Sequence, residues 1–219
     1  MKKYNGLLGC ALLLSVFSGC HRVKPTKGTG LQSYIEKLES PERDSWQKPK
    51  LVTISLSLEP GAKVADIGAG SGYFTFPFAE KAGRSGLVYA IDIDQGMLAY
   101  IRQKNKREFP LLTNIKPVLT GPDRPGIKPG SVNLVFICNT FHHFTDRGQY
   151  LKRIRKILKK GGRLAIIDFK KTKTPFGPPT EMRISRDRLI KEVEAAGFIK
   201  KKEFKYLPYQ NFIIFSEKR

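Results

Sequence analysis

The sequence predicts an α/β fold: a mostly parallel, seven-stranded sheet with an antiparallel hairpin at its C-terminal end and short helices before it. Three observations carry this. β-rich apolar runs alternate with segments of helical periodicity between residues 63 and 197, and such alternation builds a parallel sheet with right-handed crossovers. The first apolar run, residues 64–67, leads into glycines at alternate positions, Gly68, Gly70 and Gly72, where the backbone passes close to a ligand that a Cβ would meet. Two closing β-rich runs, residues 201–207 and 211–216, have no helix between them and read as a hairpin.

The elements follow in order. Residues 31–39 form a short helix, and Ser40-Pro41 starts the next, with Ser40 as cap and Pro41 in the first turn. A further helix after Pro49 reaches about residue 58, and Pro60-Gly61 turns the chain. Residues 63–67 are the first strand. The helix after Gly72 is interrupted or kinked near Pro77 and stops at Gly83. Residues 87–93 are the second strand, and residues 97–107 a helix with Met97, Leu98 and Ile101 on one face. Residues 115–119 read as the third strand, although Pro117 argues against it. Three prolines and three glycines make residues 121–130 a loop. Residues 132–138, continuously β-rich, suit the middle of a parallel sheet. Residues 150–160 form a helix with Leu151, Ile154 and Leu158 inward, ended by Gly161-Gly162, and residues 163–168 are the fifth strand. Ser185 caps a last helix, with Leu189, Ile190 and Val193 inward and Gly197 at its end. There is no internal repeat.

The 219 residues make one domain with extras. The net charge is +21, from 40 Lys and Arg against 19 Asp and Glu, which predicts attraction to anionic surfaces, lipid or nucleic acid. The basic residues are spread over several elements, so most read as solvated faces, with a nucleic-acid groove the less favoured alternative. Three cysteines with no zinc-like spacing give neither a metal site nor a disulfide framework.

Lys2 and Lys3 precede an apolar stretch, residues 7–17, of signal-sequence length. It leads into Phe17-Ser18-Gly19-Cys20, which resembles the lipobox of bacterial lipoproteins, with Phe17 where Leu is usual. That resemblance implies removal of residues 1–19 and lipidation of Cys20. Residues 20–30 are then a flexible tether, and residues 31–219 a domain held at a membrane on its periplasmic or outer-surface side. An uncleaved anchor or a plain hydrophobic tail is the alternative.

The run Asp66-x-Gly68-x-Gly70-x-Gly72, with a second acid at Asp92, resembles motif I of the class I S-adenosylmethionine (SAM) dependent methyltransferases. An NAD or flavin site, or a glycine turn without ligand, is the other reading of these glycines. Further matches follow in the family's order. Residues 132–136 resemble its fourth-strand motif, with Asn133 in place of Asp; Phe141-His142-His143-Phe144 resembles the pair of histidines that often follows; residues 157–164 resemble L-K-P-G-G-x-L, with Lys160 in place of Pro. The resemblance spans about residues 40–216 and implies a Rossmann-like sheet, SAM as cofactor and methyl transfer.

Ligands of such sheets bind beyond the carboxyl ends of the strands, where the strand order reverses. The resemblance then implies a cofactor site of Asp66, Gly68, Ala69, Gly70, Gly72, Tyr73, Asp92, Ile93, Asp123 and Asn139. A carboxylate such as Asp66 suits the cationic sulfonium and α-amino group, and Asp92 the ribose hydroxyls. Ile93 packs on adenine, Asp123 or Thr120 meets its amino group, and Asn139 faces the methionine end. His142 and His143 are candidates for a base; the structural alternative has one packed at the turn and the other solvated. The pattern Glu42-Arg43-Asp44-x-Trp46-Gln47 before the first strand resembles a subset of these proteins, and Trp46 is either a lid on the cofactor or a core anchor. Residues 177–179 with Tyr209 and Gln210 belong to the same rim. The acceptor is unidentified, a small molecule being favoured. A non-catalytic SAM-binding module and a cytosolic nucleic-acid methyltransferase are the competing readings.

Overall fold

The computed structural model describes residues 30–218. The leader and Cys20 lie outside the described residues. Seven strands form one sheet: β1 (Lys63–Ile67), β2 (Leu87–Asp92), β3 (Ile115–Leu119), β4 (Val132–Cys138), β5 (Leu158–Phe169), β6 (Phe198–Phe204) and β7 (Gln210–Glu217). Their spatial order is β3-β2-β1-β4-β5-β7-β6. The strands from β1 to β5 pair in parallel, and β7 runs antiparallel to both β5 and β6. The expected Rossmann-like sheet with its antiparallel C-terminal hairpin is what forms. The order reverses between β1 and β4, which opens a crevice at their carboxyl ends.

Helices α1 (Gly30–Leu38), α2 (Glu42–Gln47) and α3 (Pro49–Ser55) precede the sheet; α4 (Thr75–Ala82), α5 (Gln95–Glu108), α6 (Arg147–Ile157) and α7 (Arg186–Ala195) are interleaved with its strands. Period-two alternation sends successive strand residues to opposite faces. Val135 and Ile137 pack with Leu151 and Ile154 of α6 and Leu189 and Val193 of α7. Leu134 and Phe136 pack with Val52 of α3, Leu56 just after it and Phe78 of α4. The central strand β4 is therefore buried on both faces, with Asn133 its one exposed residue.

Several local expectations change. The side chain of Ser40 makes no cap; Pro41 occupies the N-cap position of α2. Helices α2 and α3 are separated by Lys48 at φ 48°, a left-handed C-cap whose N–H closes α2 on the Asp44 carbonyl. Helix α3 ends at Ser55, short of residue 58. Pro77 is the third residue of α4 and causes no break, since the first turn leaves its missing N–H without a partner to lose. Pro117 is accommodated because β3 is the sheet edge, paired with β2 alone. Helix α6 ends at Ile157, three residues before the expected end, because Leu158 is drawn into the sheet opposite Val132. The glycine pair then turns the chain inside the extended segment, and regular pairing resumes at Leu134 and Arg163. Asn133 stands at the opposite end of β4 from the crevice, where its Oδ1 accepts the Lys63 backbone N–H at 2.9 Å.

Candidate functional site

The crevice holds a cavity of about 950 Å³ lined from both sides of the reversal. At its β1–β2 end the lining is mostly main chain: Gly68, Ala69 and Gly70 on one side, Asp92 and Ile93 on the other. Gly68 and Ala69 donate their N–H groups to the carbonyl of Ile91 at 2.8 and 3.1 Å. Gly70 donates to Asp92 Oδ2 at 2.8 Å, and Asp94 to Asp92 Oδ1 at 3.0 Å. Asp92 thus joins the glycine loop to the start of α5, which Asp94 caps. Gly68 has φ 74°, and a Cβ there would collide with the Thr140 side chain. Ile93 is 63% exposed, an apolar side chain held on the cavity rim.

Three of the expected residues shape this loop from outside the lining. Asp66 is buried and its Oδ2 accepts the Thr75 hydroxyl at 2.6 Å. Burial, opposed by that hydrogen bond, pushes its carboxyl up to about 7. Gly72 gives room to Phe76 and Ile101, which a Cβ would meet. Tyr73 donates its hydroxyl to Asp44, and Arg43 lies 3.8 Å from its ring centroid. Thr120, Gly121 and Pro122 line the cavity, whereas Asp123 lines a smaller neighbouring pocket and accepts from Arg153 Nη1 at 2.9 Å.

The β4–β5–β7 end is built from side chains. Asn139, at φ 54°, donates its N–H to the Ile167 carbonyl at 2.8 Å. Its Oδ1 accepts from Gln210 Nε2 at 2.6 Å, and Gln210 is 1% exposed. A left-handed Asn is tolerable but strained, and here a buried amide holds it. His142 also lines the cavity. Its backbone N–H donates to Asp168 Oδ2 at 3.1 Å, and its Nδ1 lies 2.8 Å from Asp168 Oδ1. Asp168 further accepts the Phe169 N–H at 2.8 Å. A carboxylate only accepts, so Nδ1 carries the proton of this bond. The His143 ring is tilted against that of His142, 4.1 Å between centroids; desolvation, then the neighbouring His142, lowers its pKa. Burial pushes the Cys138 thiol up, and its sulfur accepts from Gln47 Nε2 at 2.9 Å, so it is no nucleophile.

Aromatic rings close this end. Trp46 stacks on Phe176 at 5.3 Å and lies 5.7 Å from Phe169 and 6.3 Å from Tyr209. Arg183, 5% exposed, donates to the carbonyls of Thr172 and Pro178 at 2.7 Å each and holds the loop that carries Phe176. Sequence reasoning missed Asp168, Phe169, Phe176 and Arg183. One signal was present: Asp168 ends a buried strand as Asp66 does.

A glycine loop too closely packed for a Cβ at Gly68, an acid joined to it and an apolar rim define a nucleotide-type cofactor pocket on a doubly wound sheet. Residues 65–166 match the family described as "Methyltransferase domain". The chain is 37% identical over 134 residues to the aklanonic acid methyltransferase DauC of Streptomyces sp. (strain C5), covering 59% of each protein. It is 32% identical over 123 residues to the ubiquinone/menaquinone biosynthesis C-methyltransferase UbiE of Pasteurella multocida, covering 56% of this chain and 46% of that one. The chain thus spans about half the length of the curated relatives it matches. A SAM-dependent methyltransferase from Aquifex aeolicus superposes with a TM-score of 0.78 at 27% identity, over 84% of this chain and 96% of that one. Residues 65–166 thus match a methyltransferase domain, on a fold shared with a SAM-dependent methyltransferase, and SAM is the cofactor that these likenesses support.

Proposed function

We propose that this protein methylates a small acceptor with an apolar, ring-like body and an acidic X–H group, with His142 as the base and Asp168 as its holder. The observation that carries the reading is that one cavity is lined both by the glycine cradle and by Trp46, Phe169, Phe176 and His142. The names of the matched relatives, for aklanonic acid and for ubiquinone/menaquinone biosynthesis, support a small-molecule acceptor. SAM supplies the electrophilic methyl group. The residues supply alignment and a proton sink: the aromatic wall orients the acceptor, and His142 Nε2 takes the proton that the acceptor loses. Asp168 keeps the opposite nitrogen protonated. In the cofactor half, Gly68, Ala69, Gly70, Asp92 and Ile93 are assigned direct contact, and Asp66, Gly72 and Tyr73 a supporting role.

Calorimetry with S-adenosylhomocysteine on the full chain, and release of that product across a panel of phenols, enols and hydroquinones, test the reading. Micromolar binding and turnover of at least one acceptor are expected; no binding at millimolar concentration overturns it. The lipobox-like Cys20 and the +21 charge support a lipid tether facing an anionic membrane. Metabolic palmitate labelling of Cys20 checks that part, and an unlabelled, cytosolic product overturns it.

A further inference from the structure

We propose that Arg43 is the clamp for the α-carboxylate of the cofactor's methionine moiety; this rests on the SAM reading above and adds a residue to it. Arg43 lies on α2, outside the segment 65–166 that matches the methyltransferase family. Its side chain lines the cavity although the residue is only 9% exposed. Taking a guanidinium out of water is costly unless an anion meets it. Among the described residues, no ion pair includes Arg43.

The group is held in place without being neutralised. Its Nε donates to Gln47 Oε1 at 2.7 Å and its Nη1 to the Leu38 carbonyl at 2.7 Å. Gln47, fully buried, is fixed in turn through its bond to the Cys138 sulfur. The Tyr73 ring lies 3.8 Å from the guanidinium carbon, a face that attracts a cation without supplying a charge. Two of five N–H donors are spent on neutral acceptors. The remaining ones on Nη1 and Nη2 suit the two oxygens of a carboxylate.

Position selects the carboxylate. Ile93 and Asp92, at the end of β2, mark the adenosine end of the cavity. Arg43 reaches toward the other end: through Gln47 it is tied to Cys138, at the close of β4. A cofactor laid along the crevice with its ribose at Asp92 brings its amino-acid end there. The same fork would also take the carboxylate of an acidic acceptor, and the test separates the two.

The full chain is titrated calorimetrically with S-adenosylhomocysteine and with its decarboxylated counterpart, which keeps the adenosine, sulfur and amine. Wild type is expected to prefer the carboxylate-bearing ligand by about tenfold to a hundredfold, the range for a charge-assisted pair. In Arg43→Gln that preference falls to about twofold or less, while the decarboxylated ligand binds as in wild type. Lys37→Gln, at an exposed lysine lining the same cavity, keeps the wild-type preference. Equal affinity of wild type for the two ligands overturns the clamp and needs no variant to fold. A preference that survives Arg43→Gln, or that vanishes in Lys37→Gln instead, also overturns it. If Arg43→Gln alters only the KM of an acidic acceptor, the fork belongs to the acceptor and the clamp is wrong. Binding of neither ligand to wild type overturns the SAM reading itself, and the clamp with it.

Discussion

The two ends of the cavity are made differently. At the β1–β2 end the ligand-facing groups are main chain at Gly68, Ala69 and Gly70, with Asp92 tying that loop down through Gly70. At the β4–β5–β7 end they are side chains: Trp46, His142, Phe169 and Phe176, with Asp168 and Gln210 holding from behind. A main-chain cradle tolerates many neighbouring side chains but no Cβ at its closest points. A side-chain wall changes specificity with each substitution while leaving the backbone alone. One half therefore suits a constant ligand, and the other a ligand that differs between relatives.

Substitutions at the cradle break this division most severely. Gly68→Ala adds a left-handed penalty of about 1–2 kcal/mol to a collision with Thr140. It should lower both the melting temperature and the affinity for S-adenosylhomocysteine, the latter by about a hundredfold or more. Gly70 is a contrast: a Cβ there meets only Leu38 Cδ1, at 3.2 Å. Gly70→Ala should cost less in melting temperature and still weaken the ligand, because the added carbon presses on Leu38, which lines the cavity. Thermal melts and calorimetry on the two variants check this; equal loss of melting temperature would show that the protein, not the ligand, needs both glycines.

At the other end, His142→Ala should reduce turnover by about 10²–10⁴-fold, the usual worth of a general base. Asp168→Asn should reduce turnover and distort its pH profile, because an amide no longer dictates which ring nitrogen holds the proton. Both should bind S-adenosylhomocysteine as wild type does. A parallel loss of cofactor affinity would merge the two halves into one. A milder effect is expected at Trp46, whose stack on Phe176 and neighbourhood to Phe169 shape the wall. Trp46→Ala should raise the acceptor KM by about tenfold, in keeping with the loss of ring contacts, with cofactor affinity within about twofold. Steady-state kinetics with both substrates varied separates the terms.

The same contrast explains what the sequence revealed. Asp66, the three glycines and Asp92 lie within one strand–turn–helix–strand unit, so their spacing alone placed them together. The sheet class followed as well, because the buried run Val132–Cys138 and the alternation around it demand a central strand covered on both faces. At the side-chain end Trp46, Asn139, His142 and residues 177–179 were legible one by one, but not the bonds that hold them. Gln210 and Asn139 are 71 positions apart and meet only because β7 inserts beside β5, and Asp168 meets His142 across 26 positions. The bond from Gln47 to Cys138 spans 91 positions and shows only once β4 is seen behind α2. The misplaced end of α6 has a related cause. Leu158 fits the helical apolar face by period, but the sheet claims it opposite Val132.

Asp66 links the halves and gives the smallest expected effect. Burial raises its carboxyl from 3.8 to about 7, with Thr75 and Arg43 pulling down and Asp92 pushing up. Between those values the folded protein holds a proton that the unfolded chain has released. The stability linked to this group is therefore present below about pH 4 and lost as the pH rises to about 7. Asp66→Asn keeps an acceptor for Thr75 and removes that decline, so its melting temperature relative to wild type should rise between pH 5 and pH 8. A cationic ligand settling close by lowers the pKa again. SAM binding near pH 7 should then release a proton, and affinity should grow by about threefold to tenfold from pH 6 to pH 8, since one pKa unit is a tenfold change. S-adenosylhomocysteine, without the sulfonium charge, should show less of this, and Asp66→Asn none. Calorimetry in buffers of different ionisation enthalpy measures the proton directly. Proton release undiminished in Asp66→Asn would move the coupling to another group and leave Asp66 a purely structural acid beneath the loop.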